Sequence, residues 1–214
     1  MTRTLTTVTL GFALATSLAW AQSKAPKVVL LVGPPGSGKT TQSKVLSKKY
    51  GIPAISMADL LKKEMTSMRK DDVSKTLAAA IASGEVLPDE QAAELVKHYL
   101  SRTEVRKGFI LDGFPSTAGQ AKALDAILLD HQLPKAVVVV LDVPDEVIRK
   151  RMLARGRADD KPENVDRRIR EFRQEAELLV GWAGHTKVVR VNANAPVAEV
   201  SKQIIGGLDD FWAK

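Results

Sequence analysis

The sequence predicts an α/β fold of three layers, with a five-stranded parallel sheet between two layers of helices. Three observations carry that reading. Val28-Val29-Leu30-Leu31-Val32 and Ala136-Val137-Val138-Val139-Val140-Leu141 are short apolar runs without polar alternation, as expected of parallel strands buried on both faces. Such runs alternate along the chain with stretches of helical length, which makes βαβ units. The first run leads directly into Gly33-Pro34-Pro35-Gly36-Ser37-Gly38-Lys39-Thr40. That is the glycine-rich G-x-x-x-x-G-K-T pattern of a phosphate-binding loop between a strand and a helix.

The elements follow in order. After the first strand and the loop, residues 41–50 suit a helix, and Ala54-Ile55-Ser56 a brief second strand. Residues 57–68 and 72–82 carry apolar side chains at three- and four-residue spacing and read as two helices, the second closed by Ser83-Gly84. Pro88-Asp89-Glu90 opens a helix running to about Leu100, with proline early and acids in the first turn. Residues 108–112 form a strand ending in Asp112, and 117–130 a helix. The valine-rich fourth strand is followed by a helix over 145–154, a polar loop over 155–162 and a long amphipathic helix over 163–180. Residues 187–191 and 197–212 supply the last strand and the closing helix. No repeat or low-complexity tract interrupts the series.

At 214 residues, 44% apolar and 27% charged, the chain has room for a leader and one domain with a real core. Its net charge of +7 does not by itself point to nucleic acid. The arginines concentrate between positions 149 and 173, interleaved with acids and without an aromatic platform, which suits a polyphosphate ligand. Cysteine is absent, so disulfides and thiolate metal sites are excluded. His98, His131 and His185 match no metal spacing. The first 21 residues form a leader: Arg3 near the start, a short apolar stretch over 8–18, then Ala19-Trp20-Ala21 before Gln22. That layout predicts a signal peptide cleaved after Ala21, export, and no stable membrane association afterwards; the alternatives are an organellar transit peptide, given the threonines and the absence of acids, or an uncleaved anchor.

In the loop, Gly36, Ser37 and Gly38 let backbone N–H groups turn toward an anion at the positive end of a helix. Lys39 would neutralise β- and γ-phosphates, and the hydroxyl of Thr40 or Thr41 would face Mg²⁺. Asp112 is the strand-end acid that holds the same ion, directly or through water. Arg151 and Arg155 lie one helical turn apart, Arg157 follows in the loop, and Arg168 stands on the next helix. Converging guanidinium groups suit a transferring phosphoryl group, so this stretch reads as a lid.

With these motifs in order, the chain resembles the adenylate kinases among the nucleoside monophosphate kinases, over about residues 27–208. The matching stretches are 33–42, 55–62, 84–90, 108–120, 141–155 and 156–160. The resemblance implies a P-loop core (22–55, 86–155 and 163–214), a helical monophosphate-binding domain (56–85) and a short lid (156–162). It implies transfer of the ATP γ-phosphoryl to a monophosphate, AMP in the first instance, with Mg²⁺ and without zinc, by a monomer that binds no nucleic acid. Carried over by position, Gly36 to Thr41, Arg151, Arg157 and the Ala195 backbone would lie on ATP. Lys39, Arg155, Arg157 and Arg168 would be catalytic. Ser56, Met57, Lys62, Glu85, Val86, Leu87, Gly113, Phe114, Pro115, Ser116 and Gln120 would line the monophosphate site, Gln120 on the adenine.

The chain departs from the family pattern at four positions. Lys62 and Ser116 stand where arginines usually hold the acceptor phosphate, Met57 replaces a threonine, and Thr40 a glycine. Losing a guanidinium fork and a charge removes contacts worth roughly 1.5–3 kcal/mol each. Two alternatives to an AMP kinase follow: a kinase for another monophosphate, or a nucleotide-binding protein with weakened kinase activity.

Overall fold

A computed structural model describes residues 25–67, 86–102, 105–157, 159–183 and 187–213. Its strands are β1 (Lys27–Val32), β2 (Ala54–Ser56), β3 (Gly108–Asp112), β4 (Val137–Asp142) and β5 (Val188–Asn192). All pair in parallel, in the order β2-β3-β1-β4-β5. The helices among the described residues are α1 (Lys39–Tyr50), α2 (Met57–Ser67), α3 (Asp89–Arg102), α4 (Ala118–Asp130), α5 (Asp145–Arg155), α6 (Pro162–Ala183) and α7 (Val197–Trp212). The three-layer α/β fold with its five parallel strands is the one the sequence predicts.

The strands are apolar throughout because alternate residues enter different layers. Val28, Leu30 and Val32 join a cluster with Val96, Leu124 and Leu179 from α3, α4 and α6. Val29 and Leu31 join the opposite cluster, with Leu46, Ile148 and Ile204 from α1, α5 and α7. Helix α6, 22 residues long, serves both: Val165 and Ile169 pack on one side, Leu179 and Ala183 on the other.

Several boundaries move. Helix α1 starts at Lys39, two residues early, because Gly38 takes a left-handed conformation (φ 98°) and acts as its N-cap. Strand β4 includes Asp142, which pairs with Asn192. Helix α6 accepts Pro162 as its first residue, where no intrahelical N–H bond is lost, and continues to Ala183 because Leu179 and Ala183 still have core to bury. The leader expected over 1–21, the helix expected over 72–82 and Glu85 lie outside the described residues. No described helix is long and apolar enough to cross a membrane.

The chain leaves β1 toward β2 and β3 on one side, then crosses to β4 and β5 on the other. The reversal falls at β1, and ligands in open α/β sheets bind at such a switch point, beyond the carboxyl ends of the strands. Register then places Leu31 beside Asp112, so the phosphate loop leaving β1 meets the acid ending β3. Leu46, fully buried, holds the helix after that loop to the sheet. Leu46→Ala is expected to cost about 2–5 kcal/mol of unfolding free energy, measured by urea denaturation; an unchanged midpoint would contradict this packing.

Candidate active site

A cleft of about 620 Å³ opens at this switch point. On one wall, the phosphate loop supplies Gly36, Gly38, Lys39, Thr40 and Thr41. Gly36 and Gly38 have φ of 77° and 98°, a conformation that side-chain-bearing residues adopt only with strain. Ser37 does not line the cleft. Its hydroxyl is buried against Gly33, away from the cleft, with no hydrogen-bond partner.

Lys39 Nζ donates to Gly33 O (2.6 Å) and Pro34 O (3.0 Å), so the loop's own carbonyls hold its ammonium. Thr40 Oγ1 donates to Asp112 Oδ2 at 2.6 Å. Asp112 is almost fully buried. Of the two candidate hydroxyls, Thr40 is therefore the one beside the acid. Thr40 and Asp112 are hard oxygen donors of the kind Mg²⁺ takes. No group of three or more His, Cys, Asp or Glu side chains that could hold a metal ion occurs among the described residues.

Arg151, Arg155, Arg157 and Arg168 all line the cleft. Arg155 forms a two-pronged pair with Asp160, Nε to Oδ2 (2.8 Å) and Nη2 to Oδ1 (2.6 Å), while the Arg157 N–H also donates to Oδ2. Arg168 Nη1 donates to Asp159 and stands 3.8 Å from Asp160 Oδ1. Burial alone would raise the Asp160 carboxyl, but the bonds from Arg155 and the Arg157 N–H, with the charges of Arg155 and Arg168, hold it below the usual carboxylate range. Burial lowers the Arg168 guanidinium, opposed by Asp159 and Asp160 and reinforced by Arg155. Arg151 Nη1 donates to Ala193 O (3.1 Å). Ala195 does not line the cleft; it is half-buried against the cluster beneath.

The opposite end is lined by Ser56, Met57, Lys62, Val86, Leu87, Gly113, Pro115, Ser116 and Gln120. Phe114 points into the core instead. Ser116 N and Oγ both donate to Gln120 Oε1 at 2.9 Å, and Gln120 Nε2 donates to Leu87 O at 3.2 Å. The α6 residues Glu171, Phe172, Glu175 and Leu179 form part of the same wall. Sequence reading missed them, although with Arg168 they recur at three- and four-residue spacing and so share one helix face. Glu171 accepts from Arg167 (2.9 Å), and Glu175 accepts from the Ala118 N–H (3.4 Å) at the start of α4.

Fold and loop together define a P-loop α/β protein in which one cleft joins a phosphate loop to a second polar end. Comparison with known proteins goes further. The adenylate kinase family model matches residues 31–187. Proteins named adenylate kinase from Corynebacterium aurimucosum and Brucella anthropi are 34% and 35% identical to the chain, each over 82% of it and over 96% and 95% of their own lengths. A third, from Brucella ovis, is 35% identical over the same shares. The chain belongs to the adenylate kinase family.

Burial pushes the Lys39 ammonium down to about 8; Asp112 opposes this, while Arg168 and Arg155 add to it. Between that value and the ordinary 10.5, the unfolded chain binds more protons than the folded one. The ligand-free fold therefore carries a penalty from Lys39 at neutral pH and recovers stability as pH rises across that window. An anion in the loop acts in reverse, favouring the charged form. Lysine-labelled NMR titration is expected to show Lys39 near 8 in the free protein and moving upward when pyrophosphate is added. A Lys39 that titrates with the surface lysines would refute the burial.

Proposed function

We propose that this chain is a Mg²⁺-dependent enzyme that transfers the ATP γ-phosphoryl reversibly to AMP, giving two ADP. One observation carries the reading: Lys39, the Thr40–Asp112 pair, Arg155, Arg157 and Arg168 line the same cleft as the segments 56–62 and 113–120. Curated relatives named adenylate kinase support it.

In this reading, ATP phosphates lie in the loop, at the N-terminus of α1 and beside Lys39. Thr40 and Asp112 would hold Mg²⁺, which would screen phosphate charge when bound. The attacking atom is an oxygen of the acceptor phosphate, largely ionised at neutral pH, so no general base is needed. Its bond to the γ-phosphorus forms as the bond to the β,γ-bridging oxygen breaks, and ADP leaves with that electron pair. No side chain is covalently modified. Lys39 and the arginines stabilise charge on the transferring group, at positions set before reaction. Arg155 and Arg168 exchange Asp160 and Asp159 for phosphate as the lid closes and excludes water.

A coupled assay with ATP-Mg²⁺ and AMP, CMP, GMP or UMP tests the reading; ATP binding without turnover of any acceptor would overturn it. Arg168→Ala is expected to lower kcat by about 10²–10³-fold, the cost of removing one preorganised charge contact. A second reading, another acceptor or weakened activity, is favoured by Lys62 and Ser116 and by the carboxylates Glu171 and Glu175 at the acceptor end. Ser116→Arg raising AMP turnover would support it. We further propose that the leader is removed on export, so the mature protein begins at Gln22. N-terminal sequencing decides this, and a mass that retains residues 1–21 would count against cleavage.

A further inference from the structure

We infer that Ser116 sets base selectivity at the acceptor end: by saturating the Gln120 oxygen, it leaves a reader that offers one N–H and cannot reward an amino group. This deepens the kinase reading and rests on it.

A carboxamide oxygen has two lone-pair directions, and Ser116 occupies both, through its backbone N–H and its hydroxyl at 2.9 Å each. The nitrogen end donates to Leu87 O, and its second hydrogen has no acceptor among the described residues. The orientation of the amide is not arbitrary. A backbone N–H at one end and a backbone carbonyl at the other have roles that cannot be exchanged, so oxygen faces Ser116 and nitrogen faces Leu87. Nor can the side chain swing readily. Gln120 is 1% exposed, and its backbone N–H donates to the capping Thr117 Oγ1 (3.1 Å), which itself donates to Asp89 (2.6 Å).

A carboxamide free at both atoms would pair with the adenine edge twice, its oxygen accepting from the 6-amino group and its nitrogen donating to N1. Here only the donor remains. It can serve N1 of a 6-aminopurine, or O6 of a 6-oxopurine whose own N1–H finds no free acceptor on Gln120, one bond in either case. The residue that replaces the family's arginine therefore removes a phosphate contact and also relaxes discrimination at position 6 of the base.

AMP and IMP, which differ at position 6 and in the hydrogen that the 6-oxo base carries on N1, are the probes, and both affinity by calorimetry and kcat/KM in the coupled assay are read. For the native chain the two nucleotides should fall within about tenfold of each other. Ser116→Ala frees one lone pair and should raise the AMP/IMP ratio by roughly 2- to 12-fold, the span of one net hydrogen bond. Ser116→Thr keeps the hydroxyl and should retain the native ratio. A native preference for AMP above a thousandfold, failure of either nucleotide to bind, or an unmoved ratio in Ser116→Ala would overturn the inference. Nucleotides that bind with the expected ratios but accept no phosphoryl group would sink the kinase reading and leave the base reading standing.

Discussion

A parallel strand with helices on both faces has no side-chain direction left for chemistry. In β1, Val28, Leu30 and Val32 are committed to one helical layer and Val29 and Leu31 to the other. Only the strand ends remain, and the rest of the site follows from that constraint. The chain reverses direction across the sheet at β1, so the ends of β1 and β3 open into one crevice. Register then sets Asp112 against the start of the phosphate loop, and the 2.6 Å bond from Thr40 spans the gap.

Electrostatics in the crevice are balanced before any ligand arrives. Lys39 is clasped by the carbonyls of Gly33 and Pro34, Arg155 by Asp160, and Arg168 by Asp159. Buried cations without partners would cost more than the fold could bear, so each carries an oxygen partner supplied by the protein. These partners resemble the phosphate oxygens they would give way to in the proposed cycle. Ser37 is the exception, since its buried hydroxyl has no partner.

The acceptor end has a different character. Where two guanidinium groups would be expected from the family pattern, it has Lys62 and a serine turned onto Gln120. It also borders two glutamates from α6, one pairing with Arg167 and the other seated at the start of α4. Ser116 and Gln120 at this end bond to one another and to Leu87, as Lys39, Arg155 and Arg168 at the other end bond to protein oxygens.

Hydrophobic patterning and turn chemistry were enough to read the strands, the phosphate loop and the arginine cluster, because each depends on residues adjacent in the chain. Lys39, Thr40, Asp112 and Arg168 could be named from local context alone. Their partners could not. That Thr40 rather than Thr41 meets Asp112, that Phe114 points into the core, and that Ala195 stays outside the cleft depend on register and packing between segments far apart in sequence. Glu171 and Glu175 looked like ordinary charges on an amphipathic helix until α6 was placed along the cleft wall. The sequence by itself determined the phosphate loop, the arginine cluster and the order of the elements that hold them. The tertiary structure alone decided how hydrogen-bonding capacity is shared out, as when Ser116 takes both lone pairs of Gln120, because a buried polar group bonds to whatever folding brings within about 3 Å.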